Sequence, residues 1–324
     1  MEGKASCSCG QDSLNVIHIL KMVSLLKKFN SKKHKAKRYS SYQGKGLLKK
    51  IKRLLHFRYT YFRYILAKQF GIFTEVKAKL FFGKQLILPI SDGDAFLLYC
   101  FGTLSYEEES LTQYLIKNLK KNDVFYDVGA NYGFYTFLAD EIIETGQVYS
   151  FEPNSKVFEY LSTNAVGYDQ ITLNKVAVSN TSGEGYLFDA FEKHKSATST
   201  IIEGVVGEGY SKKTIKTISL DDYIGDKQVT VPTLIKIDVE GAEAMVLEGA
   251  SNVITTHRPD IIMEVWGGER GKQFSSHCLQ LLKRLGYTNI YKINREGELI
   301  RIPQIDFSEV NNFGNFIFKS CETS

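Results

Sequence analysis

The residues of this chain that could do chemistry gather in three short segments. They are Asp127-Val128-Gly129-Ala130-Asn131-Tyr132-Gly133, Phe151-Glu152-Pro153-Asn154 and Lys236-Ile237-Asp238-Val239-Glu240-Gly241-Ala242-Glu243. Each follows a short apolar run, Val124-Phe125-Tyr126, Val148-Tyr149-Ser150 and Leu234-Ile235, of the kind that forms parallel strands buried on both faces. Ligands of such sheets sit at the carboxyl ends of the strands, so the polar residues there point to a nucleotide-like cofactor. Gly129 and Gly133 permit a sharp turn into a helix with the ligand against bare backbone. A dinucleotide fingerprint needs glycine where this chain has Asn131, which argues against a diphosphate on the helix N-terminus. An uncharged nucleoside joined to an amino acid suits the segment better, with Asp127 near the ammonium. Glu152 stands about 20 residues beyond the glycines, the spacing of an acid that accepts hydrogen bonds from ribose hydroxyls. The alternative is that the Gly129-to-Gly133 stretch is only a strand-to-helix turn, and Glu152 weighs further against it.

The string DVFYDVGANYGFYTFLA, followed by VYSFEPN, LIKIDVEGAEAMVLEGA and PDIIMEVW, resembles the FkbM-type family of S-adenosylmethionine-dependent methyltransferases, with the motifs in order up to Trp266. The resemblance implies an α/β class I methyltransferase fold, a Rossmann-like seven-stranded sheet flanked by helices. It implies S-adenosyl-L-methionine as cofactor and methyl transfer usually to a hydroxyl oxygen of a saccharide, a glycolipid or a macrolide-like natural product. It places Asp127, Gly129, Asn131, Gly133, Thr136 and Glu152 with the cofactor and gives Ala177 a backbone contact to adenine. It also expects a cofactor-holding acid near Tyr106-Glu107-Glu108-Glu109, where Glu109 is the candidate; a charged first helical turn is the alternative.

Methyl transfer is an in-line displacement that wants the acceptor oxygen near ~3 Å from the methyl carbon and gains from a base that takes its proton. The third segment supplies candidates. Asp238 ends the fourth strand at the sheet's switch region, Glu240 and Glu243 follow across the turn that Gly241 tightens, and Lys236 precedes. Asp238 or Glu240 is expected as base or acceptor clamp, with Lys236 orienting them or stabilising the oxygen. Glu264 in Met263-Glu264-Val265-Trp266 is a second acceptor contact, Trp266 a sugar platform or core residue, and His194 a loop base or an exposed histidine. A competing reading makes Asp238, Glu240 and Glu264 oxygen ligands of a divalent metal that holds a diol.

Other classes fit less well. Amino-adenine methylation wants an N/D-P-P-Y/F segment where this chain has Asp238-Val239-Glu240-Gly241, so nucleic acid is not the expected substrate. A non-catalytic S-adenosylmethionine-binding module would not need the acidic strand end.

The elements that position these residues occupy residues 71–324, read as the catalytic domain with a β-meander at 71–102 and a β-rich insertion at 179–219. The insertion holds Ser196-Ala197-Thr198-Ser199-Thr200, a patch suited to a sugar or to plain turns. A helix is expected from Ser155 to Ala165, a strand from Ile171 to Val178, a helix from Phe274 to Leu285, and strands at Tyr287 to Ile293 and Asn315 to Lys319. Residues 1–70 form a basic extension, partly helical. Residues 1–84 carry 20 Lys and Arg against 3 acids, whereas the other 240 carry 21 against 33, so the net charge of +5 conceals two opposed halves. Ser31 to Arg38 reads as a solvated basic run, and residues 21–70 as able to lie on an anionic membrane surface, bind nucleic acid or pack on the domain. Met22 reads as an alternative start. Cys7, Cys9, Cys100, Cys278 and Cys321 form no C-x-x-C pair, and no apolar run reaches ~18 residues. These features fit a reducing cytoplasm, at the inner face of a membrane if the basic segment docks there.

Overall fold

A computed structural model describes residues 9–40, 48, 60–70, 74–189, 199–203, 210–227, 229–310 and 313–320. The apolar runs form the centre of an eight-stranded sheet. In chain order its strands are β3 (Val124–Val128), β4 (Gln147–Phe151), β5 (Ile171–Asn174), β9 (Leu234–Ile237), β10 (Asp260–Trp266), β11 (Asn289–Ile293), β12 (Leu299–Ile302) and β13 (Phe313–Lys319). Their spatial order is β12-β11-β13-β10-β9-β3-β4-β5. The five strands from β10 to β5 run parallel, and β13 enters antiparallel between β10 and β11. The count exceeds the expected seven because Leu299–Ile302 pairs with β11 across the Gly297 turn and adds an edge strand.

The chain winds outward from β3 to β5 and then returns to the other side of β3 with β9, so the switch point lies between β3 and β9. β3 and β9 are buried along their whole length, as expected of strands covered on both faces. On one face pack α4 (Glu109–Asn118), α5 (Phe134–Ile142) and α6 (Ser155–Asn164), on the other α7 (Leu220–Lys227), α8 (Glu243–Glu248), α9 (Ser251–His257) and α11 (Ser276–Arg284). Helix α6 matches its expected span, with the Asn154 side chain accepting from the backbone of Lys156 and Val157.

Three expectations need correction. Residues 71–102 are not a meander: β1 (Glu75–Lys79) and β2 (Gln85–Pro89) form one hairpin, and α3 (Gly93–Phe101) follows. The alternation stops because Asp92 caps a helix, its carboxylate accepting from Asp94 N–H. Ile171 to Val178 is not one strand, since Ile171–Asn174 joins the main sheet and β6 (Ala177–Val178) joins a second sheet. That second sheet adds β7 (Gly183–Asp189) and β8 (Ser211–Ile218), an antiparallel hairpin where the insertion was expected. Phe274 to Leu285 begins later as α11, preceded by α10 (Gly268–Arg270) and a π-helical turn at Gly271–Ser275.

The basic extension is docked rather than solvated. Helix α1 (Cys9–Ser40) buries Leu25 and Phe29 in the core that α4 and α5 line, with the Phe29 ring edge-on to Phe81 at 5.1 Å. Within the expected solvated run, Lys33 Nζ lies 2.8 Å from Glu109 Oε1 and Lys37 stands 5.5 Å over the Tyr106 ring. A second helical stretch, α2 (60–69), sets Tyr64 at 4.5 Å from Phe96 of α3. Most of 41–59 lies outside the described residues.

Candidate active site

The carboxyl ends of β3, β4, β9 and β10 open into a cavity of about 540 Å3. Among the described residues seven carboxylates line it, those of Asp94, Glu107, Glu108, Glu152, Asp238, Glu240 and Glu264, against two cations, Lys236 and Arg270. A wall so acidic suits a ligand that carries positive charge.

At the switch point the loop after β3 turns through Gly129, at φ 83°, where a Cβ would stand 1.9 Å from the Asp238 carbonyl oxygen. Only a residue without a side chain lets the β3 and β9 loops close on each other there. The Gly129 and Ala130 N–H groups both donate to Phe151 O, tying this loop to β4. Asn131 then takes φ 49°; its backbone N–H donates to Glu152 Oε2 at 2.9 Å and its side-chain amide to Asp94 Oδ2 at 3.1 Å. Glu152 also accepts from Asn154 N–H at 2.8 Å, so backbone donors from two loops aim its carboxylate at the cavity. Burial pushes this carboxyl up to about 7, and further hydroxyl donors would favour its ionised form. Phe151, Val176, Ala177, Val178 and Leu187 add an apolar wall beside it. An acid held for ribose hydroxyls, an apolar slot for a base and an anionic floor for a sulfonium and an ammonium together fit S-adenosyl-L-methionine.

Four residues expected at the cofactor lie outside this wall. Among the described residues, the cavity wall does not include Asp127, Gly133, Thr136 or Glu109. Asp127 is fully buried, 3.4 Å from Lys236 Nζ, and accepts from Thr136 Oγ1 at 2.7 Å. Inside the sheet it therefore compensates the Lys236 ammonium. Gly133 is required by packing, since a Cβ there would meet Leu161 Cδ1 at 2.5 Å. Glu109 is turned to Lys33, and Glu108, one position earlier, faces the cavity.

On the chemical side, Lys236 is buried with its Nζ 3.1 Å from Asp238 Oδ2. Burial works against its charge, but Asp238 and Asp127 outweigh that and hold the ammonium above its ordinary range. Glu240 sits at φ 55°, lines the cavity, and has its carboxylate 3.9 Å from Arg270 Nη2. Burial, then the Asp238 and Glu243 carboxylates, raise Glu240 to about 8. Glu264 is raised well above its ordinary value, by burial first and then by Asp238 and Glu240, and it accepts from Trp266 Nε1 at 2.8 Å. Asp238, Glu240 and Glu264 each place a carboxylate oxygen within 4.8 Å of the others. Glu243 closes the turn, accepting from Gly241 N–H at 3.1 Å.

Trp266 reaches the wall at only 4 % exposure, with the Arg270 guanidinium stacked 3.1 Å from its ring centre. Arg270 and Trp266 thus line the cavity together, with the guanidinium on the ring. His194 and the 196–198 part of the polar patch lie outside the described residues, whereas Ser199 and Thr200 line the cavity.

Sequence reasoning missed Asp94, Tyr135 and Arg270, and it passed over Glu108 for its neighbour Glu109. Glu108 accepts from Tyr135 Oη at 2.6 Å, and burial pushes both Glu108 and Asp94 up to about 7. The available signal for Asp94 was the Ser91-Asp92-Gly93-Asp94 helix start, which marks a helix N-terminus but not what that end faces.

The chain is 29 % identical over 195 residues to the hexuronic acid methyltransferase AglP of Haloferax volcanii, a match covering 60 % of this chain and 75 % of that protein. It is 25 % identical over 173 residues to the 31-O-demethyl-FK506 methyltransferase FkbM of Streptomyces tacrolimicus, covering 45 % of this chain and 66 % of that one. Among solved structures, the methyltransferase FkbM of Methylobacillus flagellatus is similar with 18 % identity and a TM-score of 0.42, covering 69 % of this chain and 52 % of that one. The sequence profile of the Methyltransferase FkbM domain matches residues 127–288, half of the chain, and takes in both Glu152 and the Asp238, Glu240 and Glu264 cluster. The chain therefore belongs to the FkbM methyltransferase family, with S-adenosyl-L-methionine as its cofactor.

Proposed function

We propose that the protein transfers a methyl group to a hydroxyl oxygen of a saccharide or related natural product, with Glu240 as base and Asp238 as acceptor clamp. The observation that carries this reading is the meeting of three carboxylates within 4.8 Å at the switch point, beside the Gly129 turn. The names of the two relatives, one acting on a hexuronic acid and one on 31-O-demethyl-FK506, support the acceptor class. When bound, the cofactor supplies an electrophilic methyl group with a neutral thioether as leaving group. The chain's share is to place an oxygen and manage its proton.

Glu240, raised to about 8, is ionised in a minority of molecules near neutral pH, and in that form it is suited to accept the proton in the transition state. Asp238, fixed by Lys236 at 3.1 Å, offers its carboxylate as the hydrogen-bond acceptor that orients the hydroxyl. Lys236 is a positioning residue, since its ammonium is shared between Asp127 and Asp238. The test is incubation of the purified chain with methyl-labelled cofactor and saccharide and lipid extracts. Label in a product stable to mild alkali, as a methyl ether is, supports the reading. Label released as methanol by mild alkali would mark a carboxyl ester and contradict it.

The spacing of the same three carboxylates supports a second reading, in which they hold a divalent cation that binds a diol acceptor. Here activity falls on thorough chelation and returns with added magnesium, calcium or manganese. Undiminished activity after chelation removes this reading and leaves Glu240 as base.

A further inference from the structure

We propose that the N-terminal helices dock this enzyme on an anionic membrane surface, with the outer face of α1 lying in the headgroup layer. Twelve large apolar side chains are exposed among the described residues, and nine of them fall between Val16 and Phe70. The same stretch is free of acids: from residue 13 to residue 74 there are 16 Lys and Arg and no Asp or Glu. An exposed apolar cluster and an acid-free basic run coincide in one part of the molecule.

The arrangement on α1 follows from helical spacing. Leu25 and Phe29 face the core, and Val16, Leu20 and Val23, three and four residues apart, form a stripe on the opposite side. Val16 is 54 % and Leu20 62 % exposed. One turn further along that side the stripe becomes basic, with Lys27 and Lys28 exposed. Helix α2, which also leans on α3, exposes Phe62 and Ile65, with Phe70 just beyond it. Between the two helices a cavity of about 480 Å3 is lined by Lys32, Lys77 and Lys79 with Thr60 and Tyr99, and, among the described residues, by no acid.

These features select the occupant. A nucleic acid rewards the lysines through its phosphates but gives the apolar stripe nothing to bury against. A second copy of this face would set Lys27 and Lys28 against their own counterparts. A bilayer containing anionic lipid meets both demands, since apolar side chains enter the headgroup and acyl boundary while lysines pair with lipid charge. Among the described residues no helix is long and apolar enough to cross a membrane, so the contact is peripheral.

The test is sedimentation of the full chain with vesicles of phosphatidylcholine alone and of phosphatidylcholine with phosphatidylglycerol. The wild-type chain is expected to pellet with the anionic vesicles and to be released by added salt. Two sets of substitutions separate the contributions: Val16→Asp with Leu20→Asp and Val23→Asp for the stripe, and Lys27→Glu with Lys28→Glu for the charge. Each is expected to weaken partition at least about tenfold, since one surface lysine is worth roughly fivefold. All these side chains are exposed, so thermal melting should be unchanged, and that is measured alongside. Failure of the wild type to pellet with anionic vesicles overturns the proposal. So does undiminished binding by the stripe variant with a normal melting temperature, which would leave a charge-only contact such as nucleic acid. Self-association of the wild type that the stripe substitutions abolish, without vesicle binding, would assign the face to a second copy and also overturn it.

Discussion

In the proposed reading Glu152 serves the cofactor and Glu240 the acceptor, and each can be tested alone. Replacing Glu240 by Gln keeps the side-chain shape but removes the base, so kcat should drop by about 10²- to 10⁴-fold while cofactor affinity stays within a few-fold. With Glu240 raised to about 8, the wild-type rate should climb with pH and level off above that value. A rate independent of pH between about 6 and 9 would take Glu240 out of the reaction. The sequence showed these residues because they sit at strand ends in the segments that follow buried apolar runs. It did not show that Asp127 and Thr136 turn into the sheet while Glu152 turns out of it. That depends on Lys236, more than 100 positions further on, which draws Asp127 inward. Nor could one sequence choose among Glu107, Glu108 and Glu109. The choice is made by packing, with Tyr135 and Asn315 taking Glu108 and Lys33 of α1 taking Glu109.

At the scale of elements, the site depends on how closely the β3 and β9 loops approach. Gly129→Ala would force a Cβ to within 1.9 Å of the Asp238 carbonyl at a positive φ. It should destabilise the fold by at least about 2 kcal/mol and abolish cofactor binding, as a lower melting temperature and a flat titration would show. The order of parallel strands and helices was legible because buried strands and capped helices carry local signals, as Asn154 does for α6. The β1/β2 hairpin followed by α3 was not, since apolar runs between glycines fit a third strand as well as a helix. The docking of α1 was legible only as charge. Its anchors, Leu25 and Phe29, meet partners brought close by the tertiary fold. Phe29→Ala should accordingly cost about 3–5 kcal/mol, measured by denaturant unfolding, as for other buried phenylalanines. A loss under about 1 kcal/mol would show that α1 does not pack as described.

For the molecule as a whole, the crowded acids make stability depend on pH. Glu108, Glu152 and Glu243 start from ordinary values near 4.5 and are pushed up to about 7, mainly by burial. The folded chain thus holds protons that the unfolded chain has released, and stability falls as the pH rises from about 4.5 through 7. Without cofactor, the melting temperature should be higher near pH 5.5 than near pH 7.5. A positively charged ligand favours the ionised acids, so saturating cofactor should flatten the slope. The most direct measurement is calorimetric titration of the chain with S-adenosyl-L-methionine. Wild type and Glu240→Gln should bind at one site with similar affinity, NAD should not bind, and Glu152→Ala should bind about ten- to a hundredfold more weakly. Absence of binding to the wild type, or unchanged binding by Glu152→Ala, would contradict the account.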